Sequence, residues 1–133
     1  MYSEENINLC KYRLSKANEY VKDAKSVFAL GMLDTAANRS YYAIFHSVRA
    51  LLALEGKDFK KHSGVISYFQ QEYVKTRIFE KKLSDIIKSA FSLRQESDYE
   101  DFYIISPDDV KNQIDEAQVF YDCISNYIKT LID

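Results

Sequence analysis

The sequence predicts an all-α fold, an up-and-down bundle of about five helices in one domain that spans residues 1–133. The 133 residues include only three Gly and one Pro, which leaves little room for turns and favours a few long helices. Apolar residues recur at intervals of three and four along three long segments, which is the period of one face of a helix. The chain is also long enough to bury a core without disulfide bonds.

Two long helices are predicted in the first half of the chain. The first covers about residues 5–30, and Gly31 is expected to end it in a left-handed cap. Asp34 is a suitable N-cap for the second helix, which continues to Glu55 and ends at Gly56. Because the connection between them is short, the two helices should form an antiparallel hairpin.

Two shorter helices and a loop are predicted next. Ser63 is placed to cap a third helix that continues to about Val74, and a break near Thr76 separates it from a fourth helix over about residues 80–96. The stretch SDYEDFYIIS, residues 97–106, has no helical period and is expected to be a loop. Its aromatic residues should hold it against the bundle: Tyr99, Phe102 and Tyr103.

The clearest helix start lies at Ser106. A Ser N-cap precedes Pro107 at the first helical position, and Asp108 and Asp109 then place negative charge at the positive end of the helix dipole. A fifth long helix with an apolar stripe therefore follows, and it completes the predicted bundle.

The second predicted helix contains a polar pair inside the most apolar stretch of the chain, residues 36–54. Arg39 and His46 are one heptad apart, within about 20° of each other on the helix surface, opposite the main apolar stripe. Small or apolar residues surround them: Ala36, Ala43, Ala50, Ala53 and Leu54. A helix that is apolar almost all round is buried on two sides, so either another part of this chain or another copy of it should cover this face.

Charge is distributed unevenly along the chain. Residues 1–94 contain sixteen Lys and Arg against ten Asp and Glu, whereas residues 95–133 contain two against ten. The basic part could attract phosphate, or two faces of one bundle could simply differ in charge. No stretch is apolar enough for a membrane span and the N-terminus does not resemble a signal peptide, so we expect a cytoplasmic protein without membrane contact. Cys10 and Cys123 form no metal-ligand motif and are expected to be buried and reduced.

Several motifs together resemble one known family. They are RSYYAIFHSVRALL at residues 39–52, KKHSGVISYFQQEYV at 60–74, LRQESDYEDFY at 93–103 and the Ser-Pro start of the last helix. In combination they are similar to the HEPN domain family, in its branch of small single-domain proteins, over nearly the whole chain. The resemblance implies a helical bundle that usually dimerises. It also implies a metal-independent ribonuclease built on an Arg-x4-6-His motif, often encoded beside a nucleotidyltransferase that acts as its antitoxin.

The family motif maps onto Arg39 and His46, with six residues between them. The resemblance implies that these two residues are catalytic, with Ser40 at a position that is commonly polar. In the Arg-x4-His variant of the family, a Tyr modified by the partner enzyme stands two positions after the His, and Val48 occupies that position here. Candidate substrate-binding residues are Tyr42, Arg49, Lys61 and His62.

Each of these candidates has a structural alternative. His62 follows a basic pair in a loop and could position a helix start instead of binding phosphate, and Arg49 could form an ion pair with an acid of a neighbouring helix. Arg94 and Asp98 are one turn apart and are expected to form an ion pair that holds the following loop. No glycine-rich phosphate loop, HExxH pair or carboxylate cluster is present, so neither a cofactor nor a metal ion is expected.

The chemistry of RNA cleavage fits the residue types of the polar pair. His can transfer protons near neutral pH, and Arg presents a planar fork of donors to phosphate. One His cannot easily stand on both sides of a phosphate, which a symmetric dimer formed on the alanine face of the second helix would solve. We therefore hypothesise a ribonuclease toxin that acts on RNA, not DNA, as a homodimer. The alternative is a non-catalytic module that binds a nucleotidyltransferase or a nucleotide.

Overall fold

We describe the protein from a computed structural model, which covers residues 1–101 and 103–133. These residues form five α-helices, one π-helical turn and no strand, so the predicted all-α fold class is confirmed. The elements are α1 (Glu4–Ala29), α2 (Leu33–Leu54), α3 (His62–Phe69), the π turn (Gln70–Val74), α4 (Lys81–Tyr99) and α5 (Pro107–Ile132).

Helices α1 and α2 form the predicted antiparallel hairpin. Gly31 has a φ of 79°, which confirms the left-handed cap after α1, and its N–H donates to the carbonyl of Phe28 at 2.9 Å. Gly56 has a φ of 68° directly after the end of α2. Both conformations suit glycine because it has no Cβ to collide with the following carbonyl.

Small residues line the contact between α1 and α2. The Arg13 side chain donates to the carbonyl of Arg49, and the Tyr20 and Tyr42 rings are 6.0 Å apart, which fixes the register of the hairpin. Side chains at heptad spacing in this contact are 0% exposed: Cys10, Ala17 and Ala24 on α1, and Ala36, Ala43 and Ala50 on α2. Such short side chains allow two helices to approach closely.

The alanine face of α2 is therefore covered by α1 of the same chain. The sequence left open whether another part of this chain or a second copy covers this face. The structure shows that another part of the chain covers it, so a second copy cannot reach these alanines. The expectation of a dimer on the alanine face is wrong, because the surface that it needs is already buried inside one chain.

The opposite face of α2 forms the centre of the core, packed against α4 and α5. Its residues are at most 5% exposed: Ala37, Tyr41, Ile44, Phe45, Val48, Leu51 and Leu52. On the facing helices, Ile87, Phe120 and Ile124 are 0% exposed. Burial of each such side chain contributes about 1.5–3 kcal/mol, so α2 is the element on which the other long helices assemble.

One of the three predicted N-caps is confirmed by the structure, and two are not. The Ser106 hydroxyl accepts from the N–H of Asp109 at 3.4 Å with Pro107 at the first helical position, so this start is confirmed. Helix α2 starts one residue before Asp34, with Met32 as N-cap and no side-chain hydrogen bond. Helix α3 starts before Ser63, with Lys61 as N-cap and again no side-chain bond. In both cases the helix extends past its best capping residue, because the first turn is fixed by tertiary packing.

The third predicted helix is shorter than expected. Helix α3 ends at Phe69, and the chain continues in the π turn, where Gln70 donates to the Ser84 hydroxyl at 3.1 Å. The predicted break near Thr76 is confirmed, since Arg77 has a φ of 65°. A π turn needs an i→i+5 hydrogen bond that no side-chain period reveals, so the sequence could not indicate it.

The fourth helix is longer than expected, because α4 continues to Tyr99 and includes the start of the predicted loop. Tyr99 is 70% exposed and does not hold the chain against the bundle, so this part of the prediction is wrong. Tyr103 is half-buried and packs on a small second cluster that contains Ile105, whereas Phe102 lies outside the described residues. The predicted ion pair is confirmed: Arg94 Nε lies 3.3 Å from Asp98 Oδ2.

Both cysteines are free thiols. Cys10 is fully buried, as expected, and burial raises the pKa of its thiol to about 11. Cys123 is only half-buried at the edge of the core, so the expectation of a fully buried side chain is wrong for it. Among the helices that the structure describes, none combines the length and apolar character needed to cross a membrane.

Candidate functional site

Arg39 and His46 lie on one margin of α2, beside α1, and both are half-buried. Two turns of helix separate them, about 10 Å along the axis, so the structure does not bring them into contact within one chain. Two residues of α1 lie between them. The Tyr20 ring stacks on the His46 ring at 5.3 Å, and Tyr20 and Lys16 line a hollow of about 270 Å³ together with Arg39.

We call this surface the hairpin margin; it comprises Arg13, Lys16, Tyr20, Arg39, His46 and Arg49. The helix register explains its composition. Arg13 and Tyr20 are one heptad apart on α1; across the small-residue contact, Arg13 donates to the Arg49 carbonyl and Tyr20 stacks on His46. Three of these residues, Arg13, Lys16 and Tyr20, were missed by the sequence analysis. Arg13 and Tyr20 immediately flank the small-residue stripe of α1, and this repeated spacing was the available signal.

His46 has an unusual electrostatic environment. Its Nδ1 is buried and has no hydrogen-bond partner among the described residues. Burial, together with the nearby positive charges of Arg49, Arg13 and Lys16, lowers the pKa of His46 to about 4. An imidazolium would also have to bury an Nδ1–H without an acceptor, which further disfavours the charged form. In the free protein His46 is therefore neutral at physiological pH.

Cations of both helices converge beside His46. Arg49 Nη2 lies 3.0 Å from Asp58 Oδ2, and Arg13 Nη2 lies 3.7 Å from the same oxygen. Arg49 thus forms the expected ion pair, although its acid lies in the connector after α2 instead of in a helix. Burial lowers the pKa of Arg13, and the neighbouring Arg49 lowers it further. One carboxylate is shared by two guanidinium groups, so this end of the hairpin margin keeps a positive balance.

Arg39 lies at the other end of the hairpin margin. Its Nη1 donates to Asn38 Oδ1 at 2.7 Å, and within the described ranges it forms no ion pair. Glu19 and Asp23 also line its hollow, so the local charge is mixed. The guanidinium is held loosely by one neutral partner and is available to an anion.

Tyr42 joins the hairpin margin to His62. Its ring centroid is 6.1 Å from that of His46 and 6.0 Å from that of His62, so Tyr42 lies beside both imidazoles. His62 stacks on Phe45 at 4.1 Å, and its Nδ1 lies 2.8 Å from the Tyr41 hydroxyl. Burial lowers the pKa of His62, and Arg94 and Arg49 add to this effect. Lys61 is exposed at the start of α3.

Ser40 faces the interior instead of the hairpin margin. Its hydroxyl donates to the carbonyl of Ala36 at 2.8 Å and accepts from Gln113 Nε2 at 2.7 Å. Gln113 thereby joins α5 to α2 inside the core. The polar residue after Arg39 is therefore structural here. Val48, two positions after His46, is also fully buried.

No cluster of three or more His, Cys, Asp or Glu side chains that could hold a metal ion occurs in residues 1–101 and 103–133. The potential donors of the hairpin margin are mainly cationic, which suits an anionic ligand.

The fold and the site define a small helical bundle with an Arg-x6-His pair on the margin of its central hairpin. A family model described as HEPN domain matches residues 10–127. The chain belongs to the HEPN domain family.

Curated relatives extend over most of the chain. A UPF0332 protein of Thermotoga maritima is 36% identical over 127 residues, which is 96% of each chain. Two relatives come from Methanocaldococcus jannaschii and are named "Putative toxin". MJ0605 is 34% identical over 87% of this chain and 86% of its own length, and MJ0142 is 28% identical over 86% and 78%.

Proposed function

We propose that this protein is a HEPN-type toxin that cleaves RNA without a metal ion and acts as a homodimer. The observation that supports this most directly is the His46 imidazole, whose buried Nδ1 has no hydrogen-bond partner among the described residues and which lies among Arg13, Lys16 and Arg49. A phosphodiester is the anion that such a surface suits, and His is the side chain suited to proton transfer. The two Methanocaldococcus jannaschii relatives named "Putative toxin" support the biological role.

The proposed reaction is an attack by the 2'-hydroxyl of RNA on the adjacent phosphorus. One imidazole accepts the 2'-hydroxyl proton, the bond from phosphorus to the 5'-oxygen breaks, and a second imidazole donates a proton to that leaving oxygen. The products are a 2',3'-cyclic phosphate and a 5'-hydroxyl. Arg39 stabilises the negative charge on the phosphate oxygens in the transition state.

Two imidazoles on opposite sides of one phosphate require two copies of His46. Because α1 covers the alanine face of α2, the dimer that we propose uses the hairpin margin itself, where Arg39 and His46 remain half-exposed. A twofold axis near Tyr42 would place both copies of the pair around one phosphate.

The low pKa of His46 in the free protein is compatible with a role as base and acid. Three of the groups that lower this pKa are cations, and a bound phosphodiester partly neutralises their field. RNA binding is therefore expected to raise the pKa of His46 towards neutrality, which activates the proton transfer only when substrate is present.

The same pKa also favours an alternative function. A neutral, stacked imidazole with a buried Nδ1 is a suitable contact for a partner surface and needs no proton transfer. On this reading the protein is a non-catalytic module that binds a nucleotidyltransferase or a nucleotide through the hairpin margin.

Cleavage of a structured RNA in EDTA tests the proposal. Wild type, Arg39→Ala and His46→Ala are compared, with Lys75→Ala as a control that removes an exposed cation outside the hairpin margin. Sedimentation and circular dichroism verify that each variant is a folded dimer. Cutting by wild type and Lys75→Ala but not by the two site variants is expected. A folded wild-type dimer that does not cut RNA would refute the enzymatic proposal and favour the binding module.

Mixed dimers test the shared site. Wild type and His46→Ala are unfolded together, refolded at varied ratios and assayed at constant total protein. If one event needs both copies of His46, a half-and-half mixture keeps about a quarter of the activity, because only wild-type pairs cut. Retention of about half would contradict the shared site, since each protomer would then act alone.

A further inference from the structure

A groove of about 740 Å³ lies between the start of α3 and the second half of α4. It is separate from the hollow that contains Arg39, and the proposed cleavage does not use it. Its lining residues include Lys61, His62, Ser63, Phe91, Arg94 and Tyr99. We infer that this α3–α4 groove is a phosphate-binding site in which Arg94, His62 and Lys61 hold the phosphate group.

Arg94 is held so that its terminal amino groups stay available. Its guanidinium carbon lies 5.3 Å and 5.4 Å from the ring centroids of Tyr41 and Tyr42, and its Nε faces Asp98 at 3.3 Å. Among the described residues, the buried Nε forms no hydrogen bond of good geometry, and none is found from the terminal amino groups either, although the side chain is only 15% exposed. A fixed guanidinium with two unpaired donor groups matches the oxygens of a phosphate.

The Tyr41 hydroxyl contacts one ring nitrogen of His62 and leaves the other for a ligand. The Tyr41 hydroxyl lies 2.8 Å from His62 Nδ1, and burial raises the pKa of Tyr41, so the phenol keeps its proton and can donate it to Nδ1. When Nδ1 accepts, the neutral imidazole has its hydrogen on Nε2. The ring is further fixed by its stacking on Phe45. In that tautomer His62 offers the groove an oriented Nε2–H donor.

The start of α3 adds a third contribution. No side chain caps this helix, so its first N–H groups lack a side-chain acceptor. Lys61 is exposed at the N-cap position and adds a mobile positive charge at the edge of the groove. Donors from α3 and α4 therefore converge on one space.

Two acids, Glu96 and Glu100, also line the groove, but neither neutralises its cationic side chains. Glu96 is exposed and also lines a second hollow, between α4 and α5, together with Tyr103. Glu100 is exposed at the C-cap of α4. Neither acid forms an ion pair with Lys61 or Arg94 in the described part of the chain.

The ligand is thus any molecule that presents a phosphate, and its source can be an RNA strand or a free nucleotide. The groove adjoins Tyr42, whose ring lies beside both His62 and His46, so an RNA strand could contact both sites. The inference does not depend on cleavage, because it concerns binding alone.

The two histidines of the chain allow a direct test, since each reports on one site. Ring signals of His46 and His62 are assigned by His→Gln variants and followed by NMR during titration with a 2'-O-methyl oligoribonucleotide, AMP or adenosine. We expect the His62 signal to shift with the oligoribonucleotide, with AMP or with both, and not with adenosine. Response to only one phosphate ligand identifies the source. An unchanged His62 signal with both, or an equal shift with adenosine, would overturn the inference.

Variants locate the contact. Arg94→Gln should weaken binding about tenfold and Lys61→Gln about threefold, each reducing the salt dependence, whereas Lys75→Gln should have no effect. If Arg94→Gln unfolds the protein, Arg94→Lys and the exposed Lys61→Gln still test the site. Wild-type affinity in folded Arg94 and Lys61 variants would exclude it. A shift of the His46 signal alone would support the hairpin margin and overturn the groove, so the two proposals fail separately.

Discussion

Acidification from about pH 7.5 to about pH 5 should destabilise the protein through His46. The folded pKa is lowered to about 4 from the ordinary 6.5, so the unfolded chain binds a proton in this range while the native chain does not. Stability is therefore fully present above the unfolded pKa and is lost as the pH falls towards the folded value. At 1.36 kcal/mol per pH unit, the loss by pH 5 is about 2 kcal/mol for a fully shielded ring and about 1 kcal/mol for this half-exposed one.

Urea denaturation of wild type and His46→Gln at the two pH values measures this loss. His62 has a lowered pKa as well and adds a loss of the same sign, but it is present in both proteins and is removed by subtraction. Wild type should lose about 1 kcal/mol more than His46→Gln, with unchanged m-values. An equal loss in both proteins would show that solvent protonates His46 freely in the native state. The explanation by burial and neighbouring cations would then be wrong.

Two further substitutions test the hairpin. Asp58→Asn removes the carboxylate shared by Arg13 and Arg49, so the affinity for a 2'-O-methyl oligoribonucleotide, measured by fluorescence anisotropy at low salt, should rise about threefold. Asp85→Asn, on the exposed surface of α4, is the control and should not change the affinity. Equal effects of the two variants would indicate that only the net charge matters. Ala43→Leu forces three extra carbons into the fully buried contact between α1 and α2, so the free energy of unfolding measured by urea denaturation should fall by about 1–3 kcal/mol. Ala29→Leu, at the exposed end of α1, should change this free energy by no more than about 0.5 kcal/mol. A tolerated Ala43→Leu would mean that the two helices are not closely packed.

The bundle was largely predictable because its long helices have strong local signals. The Gly31 cap and the Ser106–Pro107 start are determined by backbone chemistry within a few residues, and the structure confirms both. The starts of α2 and α3 were misplaced because packing extends each helix beyond its capping residue. Helix α4 continues through residues that have no apolar period, and the Arg94–Asp98 ion pair, one turn apart, supports this end of the helix.

The candidate site was predictable only on the helix that contains the motif. Arg39 and His46 are related by a spacing that the sequence displays. The contacts of Tyr20 with His46 and of Arg13 with Arg49 depend on the register between two helices, which no single segment encodes. The burial of the alanine face under α1 also depends on the packing of these two helices. Asp58 and Arg94 lie in segments that became neighbours of the histidines only through tertiary folding.

The hairpin margin and the α3–α4 groove should differ in local stability, because they are built from different parts of the chain. All residues of the hairpin margin, with Asp58, fall between positions 13 and 58 and belong to α1, α2 and the segment that follows α2. The α3–α4 groove joins α3 to the last turns of α4, which end beside the exposed Tyr99. Local opening of that end exposes little apolar surface, so it should occur far more often than opening of the hairpin. Amide hydrogen exchange will then separate the surfaces into a slowly exchanging unit around His46 and a rapidly exchanging one around Arg94.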